Sequence, residues 1–151
     1  MNALEQLDRL RREAVERARH AQLEARSAQQ QAEAALKAAL DGERQAERQL
    51  ARARADYGAA SSVLDLRAAE LQLAYTRQAQ VAAHTLSVRC ERAHARARAA
   101  LAEQEKRLLE AELGRRAVER RLTQQAADVG RRTERRHEDE AEDAFRATRT
   151  R

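Results

Sequence analysis

"RADYGAASSVLDLR", residues 54–67, gathers the helix-breaking signals of a chain whose flanks are long tracts of Ala, Arg, Glu, Gln and Leu, all good helix formers. Gly58 suits the left-handed residue that closes a helix C-terminus, and Arg52 and Arg54 precede it where the helix dipole favours cations. Ser62, followed three residues later by Asp65, reads as a capping box that opens a second helix. A stop signal and a start signal joined by so few residues predict that the chain turns back on itself. The competing reading is one uninterrupted rod that tolerates Gly58 at a cost of about 1 kcal/mol.

Composition fits helices that pack without a thick core. The 151 residues are 42% hydrophobic and 36% charged, with no Pro or Trp and only 2% aromatic residues. Such a balance points to a coiled coil. The 30 basic and 25 acidic side chains are interleaved over most of the length, which describes a solvated surface laced with pairs. Glu5 with Arg9, Asp8 with Arg12, Glu13 with Arg17, Glu103 with Arg107 and Glu112 with Arg116 stand four apart in the favourable order, each pair contributing ~0.2–0.5 kcal/mol. No apolar run has the length of a signal peptide or a membrane span, so a cytoplasmic location is expected. Cys90 is the single cysteine and reads as a small apolar seam residue rather than a reactive thiol.

The expected architecture is all-α, a long antiparallel two-helix coiled-coil hairpin with unequal arms: helix 1 over 1–56, an apex turn at 57–62, helix 2 over 63–145 with a charged overhang, and a basic tail at 146–151. In helix 1, Ala14, Ala18, Ala21, Ala25, Ala28, Ala32, Ala35, Ala39, Gly42, Ala46, Gln49 and Ala53 alternate steps of four and three, a heptad seam made almost wholly of Ala and thickened by Leu4, Leu7 and Leu10 at the start and by Leu36, Leu40 and Leu50 further on. Helix 2 reads as less regular. Leu86, Cys90, Ala93 and Ala97 are followed by Leu101, Leu108, Ala111, Val118, Leu122 and Val129, with a phase shift that would alter the supercoil locally. At 1.5 Å per residue the arms would be roughly 80 Å and 120 Å long, so helix 2 would project past the start of helix 1.

Two regions depart from the pair-laced pattern. Around the turn, Tyr57, Val63, Leu64, Leu66, Leu71, Leu73 and Tyr75 form the densest apolar and aromatic cluster, which reads either as a plug closing the hairpin or as a contact for another protein. At the C-terminal end, a basic block containing Arg135 and Arg136 precedes an acidic one ending at Asp143, followed by the lone Phe145. Like-charge blocks mark exposed, interaction-prone ends. The sequence contains no phosphate-cradling Gly loop, Cys pair or nucleophile elbow, so neither catalysis nor a cofactor is expected. Glu134 and His137 have the Glu-x-x-His spacing of di-iron bundles without the second copy that such sites need. Arg89, Arg92, Arg96 and Arg98 lie close together with only Glu91 opposing, but lack interleaved aromatics for base stacking.

In organisation the chain resembles the FliJ/YscO family, the stalk proteins of flagellar and virulence type III secretion, including those of Hrp clusters. The resemblance spans nearly the whole chain and rests on the off-centre break "DYGAASS", the apolar opening "LRAAELQLAYTRQ" of helix 2 and the ending "EDEAEDAFRA". It implies a cytoplasmic, non-catalytic stalk like that of rotary ATP synthases. Its free ends would dock in a hexameric export ATPase, through Leu4, Leu7, Leu10, Arg135, Arg136, Asp143 and Phe145. Its apex would meet the export gate through Tyr57, Leu66, Leu73 and Tyr75, and substrate chaperones would bind along its length. No nucleic acid and no membrane insertion belong to that reading. A basic coiled-coil nucleic-acid-binding protein, with strongly salt-dependent affinity, and a generic structural rod are the alternatives.

Overall fold

The computed structural model describes the backbone of residues 3–149 and the side chains of residues 3–143 and 145. The chain is an all-α hairpin: α1 spans Ala3–Ala59 and α2 spans Val63–Arg149. The two helices pack antiparallel, because partners on α2 move back along the chain as α1 advances. Arg19 meets Glu112 at 3.4 Å, Glu43 meets His84 at 2.7 Å, and Leu50 and Ala53 cluster with Leu73. By packing density the chain divides into one unit of Met1–His20 with Lys106–Arg151 and a second of Ala21–Glu105.

The turn is narrower than the sequence suggests. Helix 1 runs three residues past the expected end at 56, and no described residue, glycine or otherwise, has a positive φ. Gly58 therefore stays helical, and Arg52 and Arg54 lie behind a last turn that carries no basic residue. The amide of Ala60 donates to the Tyr57 carbonyl at 3.4 Å, a tightened final turn of the kind that occupies orphan carbonyls. Ser62 caps α2 as expected. Its Oγ accepts the Asp65 amide at 3.1 Å, its hydroxyl donates to the Asp65 carboxylate, and its carbonyl accepts the Leu66 amide at 2.9 Å. The start signal thus makes the break, while the glycine lets helix 1 run on to meet it. At the other end the backbone of 146–149 continues α2 beyond the expected boundary at 145; the rest of the anticipated basic tail lies outside the described residues.

Burial corrects the seam by one residue at alternate positions. In the Ala21–Glu105 unit the covered positions of α1 are Ala21, Gln22, Ala25, Gln29, Ala32, Leu36, Ala39, Leu40, Glu43, Ala46, Leu50 and Ala53. Ala28, Ala35, Gly42 and Gln49, all assigned to the seam from sequence, face solvent. The other anticipated positions, Ala21, Ala25, Ala32, Ala39, Ala46 and Ala53, are covered, and at the four exposed ones the inward place passes to the next residue, Gln29, Leu36, Glu43 or Leu50. The opposing positions of α2 are Ala69, Leu73, Thr76, Gln80, Ala83, Ser87, Cys90, His94, Ala97, Leu101 and Gln104. Their steps alternate four and three without interruption, so the expected phase shift is absent; Leu86, Ala93 and Val129 are exposed. The apolar residues alone are irregular because Thr76, Gln80, Ser87 and His94 hold the intervening places.

Small side chains dominate every seventh position on both helices, Ala25, Ala32, Ala39, Ala46 and Ala53 on one, Ala69, Thr76, Ala83, Cys90 and Ala97 on the other. They allow close approach, and the alternate positions carry the bulk. Full burial of one Leu there contributes ~1.5–3 kcal/mol. Hydroxyls enter the seam at little cost because they bond within their own helix: Thr76 Oγ1 donates to the Gln72 carbonyl at 2.9 Å, and Ser87 Oγ to the His84 carbonyl at 2.9 Å.

The unit containing the termini follows the same spacing, with Leu4, Asp8, Val15 and Ala18 opposite Leu108, Ala111, Arg115, Val118 and Leu122. Arg11 occupies the intervening place on α1. A β-carbon at Gly114 would stand 3.1 Å from its Nη1, so the missing side chain is what lets the guanidinium lie there. Asp8 is buried and held by Arg12 at 2.7 Å.

Two outcomes test this description. Gly58→Ala should raise stability by up to about 1 kcal/mol, because alanine favours a helical backbone and nothing stands within 4 Å of the added carbon; a loss of stability on chemical denaturation would show a left-handed residue. Ala39→Leu should destabilise by ~1–3 kcal/mol through overpacking, whereas Ala35→Leu, one turn away and exposed, should change the denaturation midpoint little.

Candidate functional site

The apolar cluster at the turn separates, residue by residue, into a plug and an outer face. Leu73 is 9% exposed and belongs to the hairpin core with Leu50 and Ala53, so it is unavailable as the partner contact anticipated for it. Tyr57 and Leu66, each 38% exposed, fall at the next heptad positions of their helices, four residues after Ala53 and three before Ala69. Tyr75 is different: it is 71% exposed, as are Leu64 at 80% and Leu71 at 75%. Of the four apex residues drawn from sequence, Tyr75 is therefore the one turned mainly to solvent.

Those exposed side chains form a second stripe. Leu64, Ala68, Leu71, Tyr75, Gln78 and Ala82 alternate steps of four and three, and Leu86 lies a further four on. At about 3.6 residues per turn the first six fall in a band roughly 140° around α2 from the seam. Leu86, assigned to the seam from sequence, lies between the seam and this outer band and is 53% exposed. The band is also bare of charge. Between Leu71 and Val88 the one Asp, Glu, Lys or Arg residue is Arg77, in a chain where more than a third of residues are charged. Depletion of charge around exposed aromatic and aliphatic side chains is the compositional mark of an interface core. The sequence carries this band as a second apolar stripe on the opposite side of α2 from the seam.

Below Leu86 the same face becomes basic, with Arg89, Arg92 and Arg96 all exposed. At the free end, Leu4 and Leu7 are half-buried and Leu10 is exposed. Leu122 is the last seam residue of α2. Beyond it the described side chains are exposed apart from Gly130, including Arg135, Arg136, Asp143 and Phe145. This overhang holds local pairs, Arg131 with Asp128 at 2.6 Å and His137 with Glu140 at 3.6 Å. The hydrogen bond from Arg131 draws the Asp128 carboxyl below its ordinary range. His137 and Glu134 stand among exposed residues, and no group of three His, Cys, Asp or Glu side chains able to hold a metal occurs among the described residues. None of the described helices is long and apolar enough to cross a membrane.

One polar cluster lies within the seam itself. The Glu43 carboxylate, with its side chain 17% exposed, reaches His84 Nδ1 at 2.7 Å and is hydrogen-bonded by the Ser87 hydroxyl. Ser87 first, then His84, hold the Glu43 carboxyl below the usual glutamate range. Ser87 has a single hydroxyl proton and two acceptors within reach, Glu43 and the His84 carbonyl. A carboxylate is thereby admitted to the seam through bonds to the opposite helix.

Compared with protein-family models, curated proteins and solved structures, the chain matches none.

The lowered Glu43 carboxyl fixes the sign of an acid dependence. A carboxyl depressed on folding contributes stability above its unfolded value of about 4.3, and that contribution is lost as the pH falls through the folded value. Wild-type protein should therefore lose more stability than Glu43→Gln as the pH is lowered below about 5. Parallel pH profiles of the melting temperature for the two proteins would rule out a role for this cluster.

Proposed function

We propose that the chain is a non-catalytic coiled-coil stalk of a type III export apparatus, its free end docking into a hexameric export ATPase and its apex meeting the export gate protein, with substrate chaperones as further partners. In this role it works in the cytoplasm, at the inner side of a membrane-associated machine. The observation that carries the reading is the overhang: past Leu122 a single helix extends with exposed blocks of both charge signs and an exposed Phe145. Alternating blocks steer a charged opening toward the helix over a Debye length of about 8–10 Å, and a lone aromatic anchors it once desolvated. Leu10, exposed on α1, adds apolar surface at the same end.

The apex supports the reading through different residues from those first expected. Leu73 serves the core and Tyr57 and Leu66 are each only 38% exposed, so the gate contact falls chiefly on Tyr75 with Leu64 and Leu71. Arg89, Arg92 and Arg96 would meet acidic partners on the same side of α2.

Deleting Arg131 to Arg151 removes exposed overhang and no seam residue. The truncated chain should keep its helical hairpin by circular dichroism, while ATPase hexamerisation and turnover fall to the level of the ATPase alone. Full stimulation by the truncated chain would remove the basis for docking at this end.

A further inference from the structure

The outer stripe of α2 is self-complementary. Leu64 and Leu86 each stand eleven residues from Tyr75, Ala68 and Ala82 each seven, and Leu71 and Ala79 each four. When two such stripes are laid antiparallel with Tyr75 at the centre, Leu64 faces Leu86, Ala68 faces Ala82, Leu71 faces Ala79, and Tyr75 faces its own counterpart. Leucines meet at the ends and alanines one step in, Leu71 meets the half-buried Ala79 at the edge of the stripe, and the aromatic rings meet on the axis. An isologous two-fold interface requires this reciprocity, each contact of i with j being repeated as j with i.

Charge agrees with the same arrangement. The stripe carries no residue of full charge between Leu64 and Leu86, so like charges are not forced together across the axis. Just beyond it, the antiparallel alignment sets Arg89 of one copy beside the turn of the other, where Asp56 and Asp65 line a common hollow. We propose that two copies of this chain associate through the Leu64–Leu86 face of α2, antiparallel about Tyr75, joining two hairpins into a local four-helix arrangement.

The magnitude sets the strength of the association. Leu64, Leu71, Tyr75 and Leu86 are between 53% and 80% exposed, and two copies of them offer on the order of 1,000 Å² of surface, just under the ~1,200–2,000 Å² of stable complexes. The dimer is therefore weak and concentration-dependent. It also covers Tyr75, so self-association and a partner at the apex exclude one another. The inference does not depend on the stalk reading, because its test requires no second protein.

The test uses the full chain. Wild-type protein should rise from monomer to dimer mass across a concentration series in sedimentation equilibrium. Leu71→Glu, at an exposed position, should weaken that association roughly tenfold or more while far-ultraviolet circular dichroism stays unchanged. In a Cys90→Ser background, Tyr75→Cys should join to its counterpart with a short bifunctional thiol reagent. Leu64→Cys should not join to itself, its counterpart being roughly 33 Å away by helical rise, but should join to Leu86→Cys in a mixture. A chain that remains monomeric throughout, or one in which Leu64→Cys self-links as readily as Tyr75→Cys, would overturn the proposal.

Discussion

Close approach of two helices over small residues is the constraint on which the rest of this structure depends. Alanine at every seventh position of α1, opposed by Ala, Thr and Cys on α2, brings the backbones near enough for the intervening side chains to reach across. Leu50 and Leu73 then meet in a core, Glu43 reaches His84 and Ser87, and Arg19 reaches Glu112. Larger residues at those sevenths would push the helices apart and leave such contacts unmade. Because each small residue buries little area, adhesion is spread along the hairpin. No fully buried large side chain is found among the described residues.

The polar seam residues follow from that geometry. A thick leucine core would charge the full desolvation cost for Gln, Ser, Thr or Glu, on the order of several kcal/mol without a partner. In a thin seam those groups lie near solvent or near their own backbone. Thr76 and Ser87 bond to carbonyls one turn back, and Glu43 stays partly exposed beside its two partners. The sevenfold spacing fixes which residues face inward, while chemistry at alternate inward positions is free to vary.

Much of the fold was legible for local reasons. Ser62 and Asp65 announced a helix start that is present in detail, and the heptad period announced a paired helix. The seam's exact position was harder to read, since Ala occurs on several faces and apolarity alone does not distinguish Ala35 from Leu36. Thr76, Gln80 and His94 face inward although their polarity conceals that register. Gly58 misled for a related reason: a glycine can close a helix, but its neighbours here carry the helix through to Ala59. At the candidate site, the aromatic and aliphatic cluster was visible in the sequence, but its division into core and outer face depends on which residues α1 covers. The identities of Leu73 and Tyr75 suggest no such difference.

The turn at Ser62 also bears on the order in which the hairpin assembles. Contacts beside it join residues close in the chain, whereas Glu43 and His84 are 41 residues apart and Arg19 and Glu112 are 93 apart. Closing the longer loop first would cost under about 1 kcal/mol more than closing the shorter one, so entropy alone discriminates weakly. Side-chain chemistry adds to it: the Leu50, Ala53 and Leu73 cluster lies nearest the capped turn. The apical pair is thus expected to form early and to hold the following heptads in register, and the hairpin would close from its turn toward its termini.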